Sequence, residues 1–152
     1  MMRRRVMLKR SAEVAAALVA AGLWPTTAHA AWPQAAFDAK GFADAIKALG
    51  GSAPQESKDV TLIAPDIAEN GAVVPVGCAC ALPGVKRLVL LAEKNPNTLA
   101  AVFDLNDALE PSFATRVKLA QSSNVYAVAL IADGSALFAQ KEVKVTLGGC
   151  GG

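Results

Sequence analysis

From Val60 to Leu147 apolar side chains recur at every second position, and turn residues cut the run into short pieces. A period of two puts successive side chains on opposite faces of an extended strand, which a helix cannot accommodate. Val60-Thr61-Leu62-Ile63 is the first piece, ending ahead of Pro65. Beyond the Asn70-Gly71 turn signal, Val74, Val76, Cys78, Cys80 and Leu82 share one face of the next. Pro83-Gly84 precedes Lys86 to Ala92, and Asn95-Pro96-Asn97 precedes Leu99 to Phe103. Phe113, Thr115, Val117 and Leu119 then alternate with Ala114, Arg116, Lys118 and Ala120. Val125 to Ala132 and Leu137 to Leu147 flank Asp133-Gly134, a hairpin signal. About seven short strands so spaced predict a mainly β fold, an antiparallel sandwich of immunoglobulin-like type over residues 52–147.

Two departures from simple alternation matter. In the last strand Val143, Val145 and Leu147 share one face and Glu142, Lys144 and Thr146 the other, as where one face meets water. In Lys86 to Ala92, by contrast, Leu88 and Leu90 lie on one face and Val89 and Leu91 on the other. A strand apolar on both sides needs cover on its outer surface, from an N-terminal helix or from a partner subunit. Phe42, Ile46 and Leu49 recur at helical spacing, so residues 34–49 are expected to form one helix within an N-terminal segment, 31–51, that stops at Gly50-Gly51.

The first thirty residues stand apart. Arg3, Arg4, Arg5, Lys9 and Arg10 precede an apolar stretch from Ala12 to Trp24, and Ala28-His29-Ala30 follows. This is the layout of a secretory signal, residues 1–30, too short for the roughly 20 apolar residues that a spanning helix needs. Arg4-Arg5-Val6-Met7-Leu8-Lys9 fits the twin-arginine pattern, which exports folded cargo, so the expected compartment is the periplasm, with no membrane association after cleavage. Removal of the signal turns a net charge of +2 into −2, with 10 basic against 12 acidic residues left. A nucleic-acid role thereby loses its electrostatic footing. His29, the only histidine, leaves too, which excludes imidazole-based nucleophile pairs and metal sites from the mature chain.

Three cysteines cannot all pair with one another in an oxidising compartment. Cys78 and Cys80, two apart on an apolar face, read as small core side chains. A bridge between them along an extended strand would be strained. Joining them with Cys150 in a metal site would lack a fourth clustered ligand. Cys150 differs in kind, because it is the only side chain in the tail Gly148-Gly149-Cys150-Gly151-Gly152, an expected flexible arm over 148–152. Five extended residues reach roughly 15 Å, enough to carry a thiol into the active sites of other proteins. No catalytic residue and no cofactor is expected. The alternatives are a structural interaction module with a loose tail, or a thiol-disulfide or peroxidase-type protein, which would need a resolving cysteine.

These residues resemble the SoxY family, the sulfur carriers of the periplasmic thiosulfate-oxidising system. The resemblance runs through the twin-arginine signal, Asn70-Gly71-Ala72-Val73-Val74-Pro75-Val76, Glu93-Lys94-Asn95-Pro96-Asn97, Ser123-Asn124-Val125-Tyr126 and the ending Lys141 to Gly152. Gly77-Cys78-Ala79-Cys80 departs from it, since no cysteine is expected there. What it implies is covalent attachment of thiosulfonate and sulfane intermediates to Cys150. A haem-containing enzyme, a hydrolase and a sulfane-oxidising enzyme would act on them. It also implies a heterodimer with SoxZ, a small sandwich subunit without a signal of its own. Folded export suits such a passenger. We therefore predict that expressing the chain alone leaves its precursor in the cytoplasm, read by fractionation, and that co-expressing the passenger restores export. Full export of the chain alone would refute the dependence.

Overall fold

The computed structural model describes residues 4–21 and 33–148, in two compact units, Met1–Trp32 and Pro33–Gly152. The described residues of the first unit form one helix, α1 (Arg4–Ala20), in which the Ser11 hydroxyl donates to the Met7 carbonyl at 2.8 Å. Among the described residues no helix is long and apolar enough to cross a membrane.

Among its described residues the second unit holds α2 (Gln34–Asp38), α3 (Phe42–Ala48) and nine strands: β1 (Gln55–Glu56), β2 (Val60–Ile63), β3 (Ile67–Asn70), β4 (Val74–Cys80), β5 (Val85–Ala92), β6 (Leu99–Asp104), β7 (Ser112–Val117), β8 (Ser123–Ile131) and β9 (Ala136–Leu147). One sheet runs β1-β9-β8-β5-β6, with β3 also paired to β9, and the other runs β2-β4-β7. The ladders joining β4, β5 and β8 to their neighbours are antiparallel, as the alternation predicts. Two strands were not legible in that pattern. β1 and β3 add in parallel to β9, at Gln55↔Leu137 and at Ile67↔Lys144 through Asn70↔Leu147. Both are short and mostly exposed, so backbone pairing rather than side-chain periodicity makes them strands.

Between the sheets lies one core. Val74, Val76, Cys78 and Cys80 of β4 meet Leu88 and Leu90 of β5, Val125, Ala127 and Ala129 of β8, and Val143 of β9. A second core lies on the other face of the larger sheet, where Val89, Leu91, Tyr126, Val128 and Leu130 pack under Ala36, Ala45, Ile46 and Leu49. Phe42 stacks on Tyr126 with ring centroids 4.3 Å apart and meets Phe138 edge-on at 5.2 Å. The two-sided strand β5 is thus covered at Val89 and Leu91 from within the chain. The outer face of β2-β4-β7 stays open, with Ile63 67% exposed beside a shallow cleft of about 440 Å³.

The single helix expected over 34–49 is two. Ala39 and Gly41 are extended between α2 and α3. In one continuous helix, nine residues at about 100° each would put Ala36 and Ala45 on opposite sides. Both are fully buried, and the break is what turns both towards the sheet. Gly41, a poor interior residue, starts the second segment. The predicted stop is in place. Gly50 takes φ +83°, and Gly50 and Gly51 donate to the Lys47 and Ile46 carbonyls, each at 3.0 Å, in a Schellman arrangement. Gly134, at φ +87°, likewise turns β8 into β9. Leu147 is 62% exposed rather than buried with Val143, since β9 outruns the core at its end.

Ile46 is fully buried and anchors the helical layer. Ile46→Ala should cost about 2–5 kcal/mol, whereas Leu109→Ala, at a half-exposed site, should stay within about 0.5 kcal/mol. Denaturant unfolding of the two variants checks the contrast, and equal losses would contradict the two-core description.

Candidate functional site

Cys150, with Gly149, Gly151 and Gly152, lies outside the described residues. Gly148, the first residue of the expected arm, lies within them, and its surroundings define the root from which the tail departs. β9 is held to its end. Thr146 Oγ1 donates to the Glu69 carbonyl at 2.9 Å, and the Gly71 N–H donates to the Leu147 carbonyl at 2.7 Å. On the opposite side the Val145 N–H donates to Ser122 Oγ at 2.9 Å. Gly71 is buried, and its own carbonyl accepts from the Leu119 N–H at 2.7 Å, so one residue ties β9 to the segment that links β7 and β8.

That linking segment, residues 118–122, forms the other wall. Leu119 is fully buried beneath it. Asn95 Nδ2 donates to the Lys118 carbonyl at 2.7 Å, and Asn95 Oδ1 accepts from the Ala120 N–H at 2.9 Å. Gly148 rests on the Ala120 carbonyl so closely that a Cβ at 148 would overlap its oxygen. Gly148 is half-buried, and its φ is not in the positive region. Glycine is needed at this position for space.

Motifs far apart in the chain meet here. The Glu93 N–H donates to the Asn124 carbonyl at 3.0 Å and the Lys94 N–H to Ser123 Oγ at 3.0 Å. Asn124 Nδ2 and the Tyr126 hydroxyl both donate to Glu93 Oε2, at 3.0 and 3.5 Å. Burial first, and then the Glu93 charge, push the Tyr126 phenol above its usual range. Glu93-Lys94-Asn95-Pro96-Asn97 and Ser123-Asn124-Val125-Tyr126 are therefore one hydrogen-bonded unit, and Asn95 extends it to the root. As sequence, Asn70-Gly71 and Asn95-Pro96-Asn97 signal only turns. Asx pairing does occur in the first, where the Ala72 N–H donates to Asn70 Oδ1 at 2.8 Å. Long-range partners of the second leave no periodic trace.

Cys78 and Cys80 are free and buried, 2% and 6% exposed, in the core between the sheets and not in this site. Burial pushes the Cys78 thiol up to about 11, against a hydrogen bond with the Phe113 backbone that lowers it. Neither side chain is placed to serve as an exposed resolving cysteine. Among the described residues no three His, Cys, Asp or Glu side chains converge as metal ligands.

Comparison with known proteins gives a consistent picture. A family model described as sulfur oxidation protein SoxY matches residues 46–150. The solved sulfur carrier protein SoxY from Chlorobium limicola f thiosulfatophilum is 37% identical, with a TM-score of 0.62, over 68% of this chain and 94% of that one. A superoxide reductase (neelaredoxin) variant from Ignicoccus hospitalis aligns at 19% identity and a TM-score of 0.50, over 57% of this chain and 78% of that one, a likeness of fold alone. No curated sequence matches the chain.

The buried Cys78 thiol holds its proton more tightly folded than unfolded. The stability this contributes is complete below the ordinary value of 9.0 and is lost as pH rises towards about 11. Chemical denaturation at stepped pH across that window should show a decline that Cys78→Ala reduces. An identical decline in the variant would show that the thiol has no part in it.

Proposed function

From the premise that this chain belongs to the SoxY family of sulfur oxidation proteins, we propose that it carries sulfur intermediates covalently on Cys150 and presents them to partner enzymes. The observation that carries this is the contrast among its thiols. Cys78 and Cys80 are sealed in the core, while Cys150 follows a strand end that is fastened on both sides up to Gly148.

The chemistry asks little of the carrier itself. In the loading step the Cys150 thiolate and the sulfane sulfur of thiosulfate form a sulfur–sulfur bond, and two electrons pass to a haem-containing partner. The product is a cysteine S-thiosulfonate. Water then attacks the terminal sulfonate sulfur in a hydrolase. Sulfate and two protons leave, the electron pair of the broken sulfur–sulfur bond stays with the inner sulfur, and a persulfide remains on Cys150. A sulfane-oxidising enzyme would act on that persulfide next. Each step calls for a base, an acid or an electron acceptor, and a mature chain without histidine supplies no imidazole for them. An ordinary thiol has a pKa near 8.5, so the loading partner must supply the charge that favours the thiolate. Such a protein is a substrate holder, not a catalyst. It needs no cofactor beyond the sulfur it bears.

Its setting follows the same reading: a periplasmic protein, exported by the twin-arginine route with residues 1–30 removed, and paired with a SoxZ-like subunit. Mass spectrometry of the native exported protein, with and without thiosulfate and then reductant, tests the central claim. Reductant-labile sulfur adducts should be confined to the peptide bearing Cys150 and should vanish in Cys150→Ser. An unmodified Cys150 while the partner enzymes turn over thiosulfate would overturn the carrier role and favour a structural interaction module.

A further inference from the structure

The geometry points to Asn95 as a positioning residue for the carrier arm, one that sets where and in which direction the arm leaves the domain by fixing the Ala120 carbonyl on which Gly148 rests. This inference rests on the carrier role of Cys150. Residues 118–122 join the edge strand β7 to β8, and the Lys118 carbonyl and Ala120 N–H at their centre both bond to one side chain. A carboxamide holds a donor and an acceptor in one plane, so Asn95 stands in for a neighbouring strand. Alanine offers neither group, and aspartate would turn an acceptor towards the Lys118 carbonyl.

Asn95 is itself immobilised from several directions. Its N–H donates to the Ala92 carbonyl at 3.2 Å, and the preceding Lys94 N–H is held by Ser123 Oγ. Pro96 follows with a fixed φ, and its carbonyl accepts from Lys40 Nζ at 3.0 Å. The Ala120 carbonyl is thus held by Asn95 through the neighbouring N–H, by the buried Leu119 plug, and by Gly71 at the Leu119 N–H. Against so fixed a group only glycine fits at 148. A tether with a defined origin raises the effective concentration of its thiol where a partner waits, and an error of about 1 Å in placement can cost a hundredfold in rate.

The test uses the full mature chain carrying Thr61→Cys, an exposed strand position, with nitroxides there and at Cys150. Pulsed electron paramagnetic resonance then reads the distance distribution between them. Asn95→Ala should broaden that distribution. Gly148→Ala, which removes none of the groups that Asn95 bonds, should shift its mean. Without the labels, loading of Cys150 with thiosulfate by the haem-containing partner should fall about tenfold or more in both variants. Reaction of Cys150 with a small disulfide reagent should stay at the parent rate, because a small reagent needs no particular direction of approach. An unchanged distribution in both folded variants, or equal losses in the enzymatic and small-reagent reactions, would overturn the assignment. The distance measurement involves no sulfur transfer. Failure of the parent chain to load would therefore count against the carrier role alone.

Discussion

β9 is paired along one edge to β8 and along the other to β1 and then β3, and that double pairing governs what the rest of the molecule can do. Backbone N–H and C=O groups in a folded interior must find partners, and a twelve-residue strand has many to satisfy on both of its sides. The chain meets the demand with two short parallel additions instead of one full neighbour. The second, β3, carries the bonding to Leu147, one residue short of the glycine tail. A strand that frayed earlier would leave the tail with no fixed origin.

The layers follow from the same economy of cover. β5 and β8 run through the middle of the larger sheet with apolar residues on both faces, which only burial on both sides can stabilise. The smaller sheet covers one face. Two short helices cover the other, with the Phe42–Tyr126–Phe138 cluster sealing their junction with the sheet. Tyr126 links this layer to the root of the arm, because its ring lies under Phe42 while its hydroxyl reaches Glu93. Packing of the helices and alignment of the 93–97 loop thus share one residue.

Much of this was legible in the order of residues, because alternation and turn chemistry are local. All seven expected strands exist, and Gly50, Gly84 and Gly134 take the positive φ that their turn contexts require. Cys78 and Cys80 are buried, as their place on an apolar face implies. What was not legible is long-range. β1 and β3 bury too little to leave a pattern, and the break near Gly41 depends on where the sheet presses on Ala36 and Ala45. Asn95 between Lys94 and Pro96 reads as a turn former, and nothing near it in the chain tells of Lys118 or Ala120 as its partners. Gly148 shows the same limit. Its glycine neighbours suggest freedom, whereas its own contact demands the absence of a side chain.

The carrier role proposed for Cys150 sets two requirements that conflict within a single segment: the thiol must reach several partners, and each must find it within a small volume. The arrangement of bonds separates them along the chain. Hydrogen bonds from Gly71, Ser122 and Thr146 hold β9 through Leu147, and the Ala120 carbonyl leaves no room for a side chain at Gly148. The strand end is therefore held as far as the last described residue, Gly148. Short tethers search small volumes, and the volume searched shrinks steeply with length. In the proposed carrier a firm root would matter as much as the thiol, and the residues that build it come from four separate stretches of the chain.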